Sequence, residues 1–273
     1  MNDAGDRSGE RSRTLCACGV HLDSLPGRRP RLAGVDLEVV PGRLTALVGP
    51  NGAGKSSLLL CLAGLERPDG GVVRLDGSPL GEYSRQEVAR AVAYVSPWTA
   101  PDVSLTVAEA VSLGRLAHRT SMWQDPASAG RLAVEEALAM TDLKALGAVP
   151  LHALSAGERQ RARLAASLAQ GAPYLLLDEP TASLDPGHAR SILDLARRLT
   201  RTGRAVAMAV HDLTAAGQYA DTVVLLTEGR TVHTGDPWEV LTPALLEAAY
   251  GTRLGVMAHP TNGRPVVIPA YDP

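Results

Sequence analysis

Nine residues, Gly49-Pro50-Asn51-Gly52-Ala53-Gly54-Lys55-Ser56-Ser57, follow directly on the apolar run Leu44-Thr45-Ala46-Leu47-Val48. This text asks for a strand, a curled glycine-rich turn and then a helix, the form of a phosphate-binding loop (P-loop). Gly49 and Gly54 let the backbone curl so that several N–H groups point inward at phosphate, where side chains would block the approach. Lys55 is placed to reach the β/γ-phosphates and Ser56 to ligate Mg²⁺. Lys55 and Lys144 are the only lysines in a chain that otherwise uses arginine for positive charge. An ammonium is a compact point charge and a guanidinium a planar fork, so a lysine kept at this place argues against a merely solvated cation on an ordinary turn.

The length of 273 residues allows one large α/β domain with a subdomain. Phenylalanine is absent and aromatics are 3% of the chain, so the core must be built from Leu, Val and Ala. That scarcity, with a net charge of −2, argues against nucleic-acid binding by base stacking. No apolar stretch approaches the roughly 20 residues that span a bilayer. Met1 to Arg13 is polar and charged, without the apolar core of a signal peptide, which predicts a cytosolic protein. Cys16, Cys18 and Cys61 then read as reduced thiols. Cys16 and Cys18 lack nearby further ligands and read as two strand-face cysteines rather than a metal site.

Residues 1–13 are expected to be a disordered extension. Short strands and turns surround the loop from Leu15 to Arg74, with a helix from Lys55 to Leu65 stopped by Arg67-Pro68-Asp69-Gly70-Gly71. Strands are expected at Val72 to Leu75 and Ala91 to Val95. The pattern then turns to amphipathic helices, Val107 to Leu116, Ala129 to Met140 and Gly157 to Ala169, read as a helical subdomain over about 98–169. The runs Tyr174 to Leu177 and Ala205 to Val210 are apolar on both faces, as in a parallel sheet, and are separated by a helix from His188 to Leu199. This alternation predicts an α/β fold. Thr222 to Thr234 reads as a hairpin about Glu228-Gly229, and a helix after Pro243 leads to an extended tail over 256–273.

A phosphate loop that serves hydrolysis needs acidic groups at the end of a neighbouring strand. Leu175-Leu176-Leu177-Asp178-Glu179 has that form, with Asp178 delivered to a metal and Glu179 set to orient or deprotonate a water. In Leu154-Ser155-Ala156-Gly157-Glu158-Arg159-Gln160-Arg161, Ser155 stands as a helix N-cap. Small residues at Ala156 and Gly157 expose backbone N–H groups at the positive end of the helix dipole, which suits an anion.

The last segment resembles the signature of the ATP-binding-cassette (ABC) family, usually Leu-Ser-Gly-Gly-Gln. Asp178-Glu179-Pro180-Thr181, then Ala182-Ser183-Leu184-Asp185 resembling the D-loop, and Val210-His211-Asp212-Leu213 resembling the switch histidine follow in the family's order. The resemblance implies a P-loop NTPase fold of mixed RecA-like core, antiparallel N-terminal β subdomain and inserted helical subdomain, spanning residues 14–255. It also implies ATP and Mg²⁺ as cofactors, with Ser56 and Asp178 at the metal, Glu179 and His211 as catalytic residues and Asp185 at a dimer seam. Two copies would lie head to tail, each ATP between the P-loop of one and Ser155, Ala156, Gly157 and Glu158 of the other.

Within the family the chain is similar to ATPase subunits of importers for iron–siderophore complexes, haem and cobalamin. The likeness rests on Leu75 to Leu80, Ser84 to Arg90, Thr106-Val107 with Gly114-Arg115, Gly157 to Arg161, His211 to Leu213, Thr234 to Pro237, Glu239 to Thr242, and His259-Pro260 with Gly263 to Pro269. Implied partners are a second copy, integral membrane permease subunits and, indirectly, an extracytoplasmic substrate-binding protein, at the cytoplasmic face of the membrane. Departures stand out at two places. After Tyr94-Val95 the family has proline then glutamine, whereas this chain has Ser96-Pro97-Trp98; and no aromatic residue precedes Tyr83 to stack on adenine. His21, Arg28, Arg29 and Arg31 are the candidates to stack instead. Alanine at 156 keeps the signature open, and a glutamate at 158 is familiar in this branch of the family. The alternatives are a regulatory ATP-binding module with little hydrolysis, or the ATPase of another ABC transporter class.

Overall fold

The computed structural model describes residues 14–24, 29–96, 104–118 and 129–270. The expected extension at 1–13, Arg28, Pro97 and Trp98 lie outside the described residues. Strands β1 (Leu15–Leu22) and β2 (Leu32–Val39) precede β3 (Leu44–Val48), which enters the glycine-rich loop and helix α1 (Lys55–Leu62). Then come β4 (Gly70–Leu75), β5 (Ser78–Pro79), α2 (Arg85–Ala91) and β6 (Val92–Val95). The helical insert holds α3 (Val107–Ser112), α4 (Ala129–Met140) and α5 (Ala156–Gln170). The chain returns through β7 (Tyr174–Asp178), α6 (Pro186–Arg201), β8 (Ala205–Ala209), α7 (Leu213–Tyr219), β9 (Thr222–Thr227) and β10 (Arg230–Gly235). It closes with α8 (Pro237–Val240), α9 (Pro243–Tyr250), β11 (Leu254–Ala258) and β12 (Pro265–Pro269).

Six strands form the central sheet in the order β10-β9-β3-β8-β7-β6, parallel except for β10. An antiparallel sheet of order β2-β1-β4-β5 covers one side. Every residue of β3, β7 and β8 is buried, and the two-residue strand period divides them between two cores. Leu44, Ala46, Val48, Leu175, Leu177, Val206 and Met208 pack with α5 and α6. Leu47, Tyr174, Leu176, Ala205, Ala207 and Ala209 pack with α1 and the antiparallel sheet. Burying each such leucine is worth about 1.5–3 kcal/mol, so the sheet is held firmly from both faces.

The helix predicted from Lys55 to Leu65 ends at Leu62, because Gly64 takes the left-handed conformation with φ 67°. The helix predicted to run to Leu116 leaves α geometry after Ser112 and tightens into a 3₁₀ segment over Leu113–His118. Gly114 there lies so close to α5 that a Cβ would come within 2.0 Å of the Ala166 carbonyl oxygen. The extended residues near the C-terminus are paired with each other: β11 and β12 form an antiparallel hairpin from Leu254↔Pro269 to Ala258↔Pro265. Thr214 on α7 seats it, donating to the Val267 carbonyl and accepting its amide, both at 3.0 Å.

Candidate nucleotide site

The carboxyl ends of β3, β7 and β8 meet at one edge of the central sheet, the place where an α/β sheet holds ligands. A cleft of about 190 Å³ opens there, lined by Arg31, Asn51 to Ser57, Glu179 and His211. Gly49 and Gly54 are glycines for physical reasons visible around them. A Cβ on Gly49 would lie 2.0 Å from the Leu226 carbonyl oxygen, and one on Gly54 would lie 2.6 Å from that of Arg31. Both have positive φ, 145° and 101°. Gly52 instead faces open space, with no atom within 4 Å of a Cβ built on it.

Lys55 folds back over the loop, its ammonium donating to the carbonyl oxygens of Gly49 at 2.7 Å and Pro50 at 3.1 Å. Ser56 Oγ donates to Asp178 Oδ1 at 3.0 Å, joining the loop to the end of β7. Tyr94 donates to Asp178 Oδ2 at 2.9 Å, so side chains hold both carboxylate oxygens. Nothing in the sequence around Tyr94 singles out this role. The parallel register explains it: Tyr94 pairs with Leu176, two residues before Asp178 and on the same face of the sheet.

Lys55 and Asp178 are only 5% and 1% exposed. Burial lowers the Lys55 pKa, with the charges of Glu179 and Asp178 opposing the shift. Burial likewise raises the Asp178 pKa, against the hydrogen bonds from Ser56 and Tyr94. Each ion is thus held where its charge is disfavoured. An anion beside Lys55 and a cation beside Asp178 would supply the missing countercharges, so these residues fit a phosphate with its metal.

Glu179 continues the ladder one residue past β7, its amide donating to the Ala209 carbonyl at 3.1 Å, and turns out with φ 48°. This left-handed glutamate is a backbone outlier of the kind that collects at functional sites. His211 Nε2 donates to Glu179 Oε1 at 2.6 Å, bringing the ends of β7 and β8 into one pair. The carboxylate can accept a proton from a water and the imidazole can hold its orientation.

Among the described stacking candidates, Arg31 is the one that lines the cleft. Its guanidinium is fixed by Glu66, with Nη1 donating to Oε2 at 3.0 Å, and Nε donates to the Asp23 carbonyl at 3.2 Å. His21 packs instead near Gly34 and Gly70, and Arg29 pairs with Glu228.

Ser155, Ala156, Gly157 and Glu158 begin α5 and do not line the cleft. Ser155 and Glu158 form a capping box: Ser155 Oγ accepts the Glu158 amide at 3.2 Å, and the Glu158 carboxylate accepts the Ser155 amide at 2.8 Å. Asp185 caps α6, its Oδ1 accepting the amides of Gly187 at 2.9 Å and His188 at 3.1 Å, and it too lies off the cleft. The residues expected to act together therefore fall into two groups within one chain.

Residues 32–182 match the ABC transporter family. The hemin import ATP-binding protein HmuV of Streptomyces coelicolor is 43% identical over 256 residues, which cover 93% of this chain and 88% of that protein. The cobalamin import ATP-binding protein BtuD of Halobacterium salinarum is 40% identical over 230 residues, 84% of this chain and 57% of that longer one. Among solved structures, an ABC transporter assigned to the metal-chelate type in an inward-facing conformation superposes with a TM-score of 0.82 at 22% identity, covering 95% of this chain and 98% of that one. The fold, the cleft and these likenesses agree that the chain belongs to the ABC transporter family.

Proposed function

We propose that this chain is the ATP-binding and hydrolysing subunit of an importer whose cargo is haem or a related metal-chelate compound, cobalamin and iron–siderophore complexes included. The observation that carries the proposal is the single cleft in which the glycine-rich loop, Lys55, Glu179 and His211 converge beside the Ser56–Asp178 contact. The cargo class is supported by the hemin and cobalamin import proteins to which the chain is similar over most of its length. No helix among the described residues is long and apolar enough to cross a membrane. The reading therefore assigns passage of the cargo to separate permease subunits, fed by an extracytoplasmic binding protein, with this chain docked on the cytoplasmic face.

In this reading the amides of residues 49–57 and the Lys55 ammonium bind the phosphates, and Ser56 and Asp178 hold Mg²⁺. Mg²⁺, when bound, neutralises charge that develops on the phosphoryl oxygens. Glu179 takes the proton of the attacking water, and His211 keeps that carboxylate turned to its task. Arg31, clamped by Glu66, offers a flat cation on which an adenine can stack. Ser155 to Glu158 complete the site of a second copy, because in their own chain they stand away from the cleft.

Mg²⁺-dependent phosphate release by the purified chain, alone and with its permease, tests the proposal. Release that rises with the permease and disappears in Lys55→Ala is expected; no release in either state would leave the regulatory reading, which the Ser96-Pro97-Trp98 text without a glutamine favours.

A further inference from the structure

The ring of His188 fills the one space at the start of α5 where a side chain is missing. A Cβ built on Gly157 would lie 2.8 Å from Cδ2 and 2.9 Å from Cγ of His188, closer than real atoms approach. The backbone at Gly157 does not itself demand glycine, because this residue is the second of α5 and its φ is not positive. The imidazole of His188 is what a Cβ at this position would meet.

His188 is tied on its other side as well. Its Nδ1 donates to Asp185 Oδ2, while Asp185 Oδ1 holds the Gly187 and His188 amides. Asp185, three residues before it, is the carboxylate bonded to the ring. The turn at Thr181 to Asp185 and the first turn of α5 therefore meet through one side chain, with Gly157 as the socket.

We infer that His188 is a positioning residue: seated on Gly157 and held by Asp185, it fixes the Asp185 turn and the Ser155 end of α5 as one unit of the surface offered to the second copy. This rests on the composite-site reading above. Thr181 to Asp185 and Ser155 to Glu158 are separated in sequence, and the His188 ring touches both Asp185 and Gly157. The histidine makes their spacing a single quantity.

The test uses the full chain carrying Glu179→Gln, with ATP affinity of the single chain and ATP-driven dimerisation measured separately. His188→Ala should weaken dimerisation about tenfold, the scale of coupling between contacting residues, while single-chain ATP affinity stays within about twofold. His188→Gln, whose amide can donate to Asp185, should recover most of the loss. Gly157→Ala should weaken dimerisation in the parent and cost much less when His188→Ala has emptied the socket. If Glu179→Gln itself fails to dimerise with ATP, the composite-site reading falls and takes this inference with it. If it dimerises and His188→Ala dimerises equally well, or Gly157→Ala costs as much with the ring gone, the inference alone is overturned. Should Gly157→Ala fail to fold, the comparison of His188→Ala with His188→Gln decides.

Discussion

The cleft at the end of the central sheet and the surface at the start of α5 are built in opposite ways. At the cleft, Lys55 and Asp178 are almost wholly buried, and Lys55, Ser56, Tyr94, Asp178, Glu179 and His211 are hydrogen-bonded before any ligand arrives. At the other region Ser155, Ala156 and Asp185 are exposed; Ser155 and Asp185 cap their own helices, and Asp185 also accepts from the His188 ring. One region is finished within the chain and stores unfavourable charge burial. The other is an exposed pair of helix starts, each capped from its own chain, and in the proposal it serves a second copy. The difference is the one expected if, as proposed, the chain carries two halves of a site that it does not itself close.

The largest effect should come from removing the proposed base in the finished region. Glu179→Gln is expected to lower the rate of phosphate release by a factor of about 10²–10⁴ while ATP still binds, read by single-turnover kinetics beside a binding titration. Retention of full turnover would mean that the left-handed glutamate beside His211 has no part in the chemistry. Next in size is Gly49→Ala, which puts a Cβ 2.0 Å from the Leu226 oxygen and should cost roughly 2–4 kcal/mol of stability, since the backbone conformation is also closed to it. Denaturant titration measures that loss.

Ser155→Ala probes the unfinished region. Loss of the cap should cost only about 1 kcal/mol in stability and leave single-chain ATP affinity unchanged. A comparable loss of ATP affinity in the single chain would erase the distinction between the two regions.

The smallest effect concerns the frame under the cleft. Asp221 accepts the Leu44 amide at 2.8 Å where β3 begins, and pairs with Arg197. Burial alone would raise the Asp221 pKa, but the Arg197 and Leu44 hydrogen bonds and the Arg197 charge outweigh it and leave the value lowered. The sign follows directly: the folded value lies below the unfolded one of about 3.9, so the stabilisation is full above that pH and is lost as pH falls through the folded value. Asp221→Asn should therefore be less stable than the parent by on the order of 1 kcal/mol at neutral pH, and the gap should narrow below about pH 4. A gap that widened on acidification would reverse the assignment.

Much of this was legible in the sequence because it is written locally. The strand before Gly49, the apolar runs ending at Asp178 and at Val210, and the hairpin about Glu228-Gly229 each carry their structure in a few consecutive residues. What was not legible depends on which elements become neighbours. Tyr94 reaches Asp178 only because β6 lies beside β7 in register, and Gly114 interrupts its helix only because α5 passes close by. Arg31 could be named as one of four stacking candidates, but its choice over His21 follows from how the turn before β2 packs on Gly54 and Gly229. The pairing of β11 with β12 was hidden for the same reason, since Pro265 to Pro269 reads as extended whether or not it finds a partner strand.

Mixing two disabled chains tests the central claim most directly. Lys55→Ala loses the phosphate cradle but keeps the α5 surface, and Ser155→Arg blocks that surface but keeps the cradle. If two copies build each site, phosphate release from the mixture should clearly exceed the sum of the two chains measured alone, and should fall away on dilution. Release equal to that sum at every concentration would contradict a site shared between two copies.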